Sequence, residues 1–251
     1  MSKTIGIVCE GPTDYILLKA VIDRISRQEN HFVLLQPEDD LMGNYGNGWK
    51  GVWKWCADHA SFLDEYMCEI TPTLDLIIIQ MDGDVSRKEK EVHCLCHDNL
   101  ECEFRGSVSP LECSQIKENQ CPITLPCNAH GTPPQAYVNH LMAQIATWLG
   151  GDFHANKICP VIPCDSTDAW VVAAFETPPD IEQLSDPWEQ IISRSKQYHG
   201  IRIPGRKKNQ VIYRQLAEKV GENWERVVES CREAARFDGC IRAYFHGSQL
   251  M

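Results

Sequence analysis

Ile5-Gly-Ile-Val-Cys-Glu-Gly-Pro-Thr-Asp14 places one acid directly after an apolar run and a second acid one helical turn later. Leu74-Asp-Leu-Ile-Ile-Ile-Gln-Met-Asp-Gly-Asp84 repeats the device, ending its apolar run in two alternating acids. Ile5–Cys9 reads as a buried strand, and Pro12 suits the first position of a helix, where its missing N–H costs nothing. Leu74–Met81 is the clearest strand in the chain. Glu10, Asp14, Asp82 and Asp84 would then converge at the carboxyl edge of a parallel sheet. Such a set of hard oxygen ligands repels itself unless a divalent cation sits among it, which points to magnesium-dependent phosphoryl chemistry.

Working outward, Leu17, Leu18, Val21, Ile22 and Ile25 keep one face of the first helix apolar. His31–Leu35 is a second strand, and Val52 to Met67 traces one long amphipathic helix. The alternation of strand and helix predicts an α/β fold with a mainly parallel central sheet and flanking helices. Residues 85–131 break the rhythm and read as a cysteine-rich insertion. Thr132-Pro-Pro-Gln135 is a capping box opening a helix through Leu149. Ile158–Pro163 is a further strand, and Asp165-Ser-Thr-Asp168 starts an apolar helix through Phe175. The core therefore comprises 1–84 and 132–175. Residues 176–251 form a helical C-terminal region packed on the core, with 176–210 rich in proline and polar residues and helices over Val211–Val220, stopped at Gly221, and Trp224–Phe237.

The chain has 251 residues, 43% hydrophobic and 24% charged, enough for a substantial core. It contains no apolar run of about 18 residues, so no membrane span is expected. No signal-peptide pattern opens it, and a cytoplasmic location is the default expectation. Thirteen cysteines are an odd count in a long chain, unlike a secreted disulfide scaffold. Cys9, Cys56 and Cys231 lie on apolar faces as small hydrophobes. The net charge of −11 argues against nucleic-acid binding unless a local basic patch, a metal or a basic partner compensates.

Magnesium takes few protein carboxylates and keeps waters and phosphates for its other positions. Alternation in Asp82-Gly-Asp84 lets both acids reach one ion while Gly83 leaves space for substrate. Glu10 can bind metal or move a proton to a leaving oxygen. Any one of these acids could instead cap a helix, and Asp-Gly is a common turn. Their joint occurrence is harder to explain that way.

Together, Glu10-Gly-Pro-Thr-Asp14 and Asp82-Gly-Asp84 resemble the TOPRIM fold of topoisomerases, primases and overcoming-lysogenization-defect type nucleases. The chain looks most similar to small stand-alone TOPRIM-like proteins of prokaryotic defence and toxin-like loci. The resemblance covers residues 4–84 and, more loosely, 132–240. It implies that Glu10, Asp82 and Asp84 hold catalytic metal. Asp14 fills the place of a second acid, where glutamate is more usual. Ser166-Thr-Asp-Ala-Trp170 is similar to a family segment with an acid before Ala-Trp, which implies Asp168 as a further acid at the site. A first-turn acid favoured by the helix dipole accounts for Asp168 equally well.

Other signals lie off this axis. His93-Cys94-Leu-Cys96-His97, Cys102, Cys113, Cys121, Cys127 and His130 fill the insertion, and Cys94, Cys96, Cys121 and Cys127 would close a structural zinc site. Ordinary reduced cysteines are the alternative. Gly46-Asn-Gly-Trp-Lys-Gly51 matches a phosphate-loop spacing, but the polar stretch before it argues for a flexible turn with Lys50 as a phosphate contact. Arg202, Arg206, Lys207, Lys208 and Arg214 are the dense basic run, either solvated charge or the place where nucleic-acid phosphates are held. Trp49 and Trp53 could stack on bases, whereas Trp55 belongs in the core.

The expectation is a magnesium- or manganese-dependent nuclease acting on DNA or RNA. The resemblance implies an antiphage effector controlled by a partner such as an ATPase, and a homo-oligomer is allowed. The alternative is a non-catalytic TOPRIM-like regulatory or interaction subunit that docks a partner through its acidic surface. A phosphatase or nucleotidyl transferase acting on a small nucleotide is a third possibility.

Overall fold

The computed structural model describes residues 2–37, 45–87, 134–151, 157–184, 186–193, 197–205 and 207–246. Strands β1 (Thr4–Val8), β2 (His31–Gln36), β3 (Leu76–Gln80) and β4 (Ile158–Val161) form one sheet in the order β2-β1-β3-β4. Every pairing in it is parallel, Ile5 beside Leu76 and Ile77 beside Ile158.

The helices follow from the crossovers. Helix α1 (Pro12–Ser26) links β1 to β2, and α2 (Trp49–His59) with α3 (Leu63–Glu69) links β2 back across to β3. These two connections move in opposite directions along the sheet, so right-handed crossovers require opposite faces. Helix α4 (Asp84–Arg87) follows β3, and α5 (Pro134–Trp148) precedes β4. β1 and β3 sit side by side with diverging connections, which makes their carboxyl ends the switch point where α/β sheets open a crevice.

Period-two alternation sorts the strand side chains between two cores. Ile5, Ile7, Leu76 and Ile78 pack with Leu17, Leu18, Val21 and Ile22 of α1. Val8, Ile77, Ile79 and Met81 pack with Val52 and Trp55 of α2, Leu63 and Met67 of α3, and Leu141 and Ile145 of α5. On the first face lie α6 (Thr167–Phe175), α8 (Gln210–Glu222), α9 (Trp224–Ser230) and α10 (Arg232–His246), with α7 (Pro187–Ser193) packed against α6. Trp170 of α6 meets Trp224 edge-on at 5.4 Å between ring centroids and stacks with Phe237 at 6.0 Å. Every residue of α6 from Thr167 to Ala174 is buried, so its two polar members must find partners inside the protein.

Three expectations are corrected. The helix read across 52–67 is two, because Phe62 leaves helical geometry at φ −139°, ψ 23° and stands exposed. The helix read as Trp224–Phe237 breaks at Cys231, whose backbone is extended, and restarts as α10. Gly221 does not stop α8 but lies within it, its Cα side 3.6 Å from the Ala20 carbonyl oxygen for a would-be Cβ. The proline-rich stretch within 176–210 holds a 3-10 turn (Ile181–Gln183), α7 and a two-stranded hairpin of β5 (Gln197–Tyr198) and β6 (Ile201–Arg202). Among the described residues no helix is long and apolar enough to cross a membrane.

Candidate functional site

The ends of β1 and β3 are fastened by a closed loop of three hydrogen bonds. Glu10 N donates to Gln80 Oε1 at 3.1 Å, and Gln80 Nε2 donates to Asp82 Oδ1 at 2.7 Å. Asp82 N then donates back to Glu10 Oε1 at 2.7 Å. Gln80 is fully buried at the last position of β3, where an unpaired amide would be costly, so the loop satisfies it while aiming both acids at the same edge. Beyond it, Gly83 N donates to Pro163 O at 2.9 Å and Asp84 N to Asp165 O at 3.0 Å, extending the β3–β4 pairing past both strands. A Cβ on Gly83 would overlap the carbonyl oxygens of Pro163 and Cys164. The expectation that Gly83 leaves space for substrate is corrected: that space is filled by this neighbouring backbone.

From the first helical face come two further acids. Asp14, in the first turn of α1 and 5% exposed, accepts from Thr167 Oγ1 at 2.6 Å. Asp168, 1% exposed, accepts from the Tyr213 hydroxyl and pairs with Lys208 Nζ at 2.5 Å. These contacts supply the partners that a buried α6 demands of Thr167 and Asp168. The helix begins at Pro12 with Gly11 as its N-cap, so Glu10 is not on the helix and Asp14 approaches from α1 alone.

The five acids form one electrostatic unit. Burial, then Asp14, Glu10 and Asp84, push Asp82 well above the ordinary carboxylate range, with Lys208 pulling the other way. Burial raises Asp14, offset by the Thr167 hydrogen bond and by Lys208. Burial lifts Asp168 to about 6 despite Lys208. For Lys208, burial opposes the charge, but Asp168 first and then Asp82 and Asp14 hold the ammonium above its usual value. All donors are hard oxygens, the class a magnesium or manganese ion takes. As the side chains lie, no group of three or more His, Cys, Asp or Glu among the described residues stands ready to hold a metal ion.

The basic run does not act as one surface. Arg202 on β6 and Lys207 are exposed, whereas Lys208 keeps its stem at the surface and sends its ammonium to Asp168. Arg206 lies outside the described residues, as do Cys94, Cys96, Cys121 and Cys127. Lys50 is half-buried in the first turn of α2. The glycine turn before it docks on the site, with Gly48 N donating to Glu10 O at 2.8 Å from a φ of 78° that favours glycine. Trp49 is 4% exposed in the core beside α2, which corrects its reading as a base-stacking platform, and Trp53 packs half-buried against the same core.

Gln80, Thr167 and Tyr213 were not singled out from sequence. A glutamine closing an otherwise apolar strand was the one local signal; the other two act across the fold. Pockets of about 570 Å³ between α1 and α8, and about 500 Å³ beside Cys164 and Glu182, contain none of Glu10, Asp82 and Asp84. The acids instead line the open carboxyl edge of the sheet. No family model, curated protein or solved structure matches this chain.

Proposed function

We propose that this protein is a metal-dependent phosphodiester hydrolase, a nuclease for DNA or RNA with a TOPRIM-like core. The observation that carries the reading is the Glu10–Gln80–Asp82 hydrogen-bond loop, which gathers acids from two adjacent strands at the switch point of a parallel sheet. The donor set fits a hard divalent cation: it is all oxygen, and its members repel one another. Glu10, Asp82 and Asp84 would hold magnesium or manganese, with Asp14 and Asp168 beside them. Such an ion, when bound, supplies activation of water and charge relief on a leaving oxygen.

The remaining work falls to side chains of the chain itself. Gln80 fixes the orientation of Asp82, and Thr167 fixes that of Asp14. Lys208 brings a positive charge to an acidic edge that would otherwise repel a phosphate. Exposed Arg202 and Lys207 are available to hold phosphates outside the reacting group.

The reading is tested with plasmid, single-stranded DNA and transfer RNA in magnesium or manganese. The wild-type chain is expected to cleave at least one of them, and Asp82→Ala and Glu10→Ala to lose about 100-fold or more of that rate. Cleavage that survives both substitutions, or none on any of the three polymers, overturns it. One observation favours a non-catalytic regulatory subunit as the second reading: Lys208 already occupies a cation's place beside Asp168. That reading expects a stable complex with a basic partner protein and no turnover.

A further inference from the structure

Cys159 on β4 and Cys240 on α10 are distant in sequence and meet where α10 packs over the edge strand. Arg236 fixes the approach, its guanidinium donating to Pro160 O at 2.8 Å, one residue past Cys159. Cys240 lies one helical turn beyond Arg236 and so faces the same strand. The two side chains share one core, Cys159 among its buried members and Cys240 packed against it. Cys159 is 1% exposed, whereas Cys240 is only half-buried, and both are free.

We propose that Cys159 and Cys240 are a peroxide-sensitive thiol pair that closes to a disulfide, with Cys240 as the attacking sulfur and Cys159 as the resolving one. The two sulfurs have unequal chemistry. The Cys159 side chain, then the Arg236 charge, lower the Cys240 thiol to about 7 against the cost of burial. Cys159 is raised well above its usual value, first by Cys240 and then by burial, so it keeps its proton.

In the first step the Cys240 thiolate attacks one oxygen of hydrogen peroxide. The O–O bond breaks, hydroxide leaves, and the sulfur is oxidised by two electrons to a sulfenic acid. In the second step the Cys159 sulfur attacks the Cys240 sulfur and the S–O bond breaks. The departing hydroxide takes the Cys159 proton as water. One peroxide and two thiols thus give one disulfide and two waters.

The test is a peptide map of the full-length protein, alkylated under non-reducing conditions after treatment with excess hydrogen peroxide. The expected product is a Cys159–Cys240 linked peptide that dithiothreitol reverses. In Cys159→Ser, oxidation should stop at a Cys240 sulfenic acid captured by dimedone. The idea fails if Cys159 and Cys240 both remain alkylatable after peroxide has consumed other thiols. It also fails if a folded Cys159→Ser protein gives no dimedone adduct at Cys240. The wild-type map decides the matter even if the variant does not fold.

Discussion

The acids at the strand ends and the acids on the helical face are held by different means. Glu10 and Asp82 are tied through backbone N–H groups and one buried glutamine, contacts that persist whatever their charge. Asp14 and Asp168 are tied through side chains of Thr167, Tyr213 and Lys208, contacts made between segments distant in sequence. The first pair is a geometric device with an electrostatic penalty. The second is an electrostatic device whose cation moderates that penalty across the whole edge.

Lys208→Met separates the two most strongly. It leaves Asp168 buried without its cation and removes the charge that offsets Asp14 and Asp82, so urea denaturation should show a loss of about 2–3 kcal/mol, below that of a fully buried pair because the Lys208 side chain is 37% exposed. Adding Asp168→Asn should recover part of that loss, and additive losses would show the pair to be uncoupled.

Asp82→Asn acts in the opposite sense. It keeps an acceptor for Gln80 and removes one of several repelling charges, so stability should rise by about 1 kcal/mol, as at other function-strained sites. A fall in the urea midpoint would mean that the strand-end group is not strained.

The smallest effect is in pH. Asp168 is raised to about 6, so in the folded chain it still holds a proton that the unfolded chain released nearer pH 4. The native state therefore binds more protons in that window, and this group's contribution to stability falls as pH rises through it. Moving from pH 7 to pH 5 should stabilise the wild-type chain relative to Asp168→Asn. An equal change in the two urea midpoints would contradict the raised value.

This contrast also explains what could be read from sequence. Glu10, Asp82 and Asp84 directly follow apolar runs, and a parallel strand delivers whatever follows it to one edge of the sheet. Lys208 looked like one residue of a solvated basic stretch because its partner, Asp168, lies 40 residues earlier on α6. The breaks at Phe62 and Cys231 were hidden because the apolar spacing continues across them. The β5–β6 hairpin, two residues a side, is too short to register as alternation.

Helix α4 begins at Asp84 and packs against α5, so the chain leaves and re-enters the core between touching neighbours. Residues 88–133 lie between these two helices in the sequence. The strand order of the sheet is set by residues on either side of that interval, so it does not depend on the interval's length.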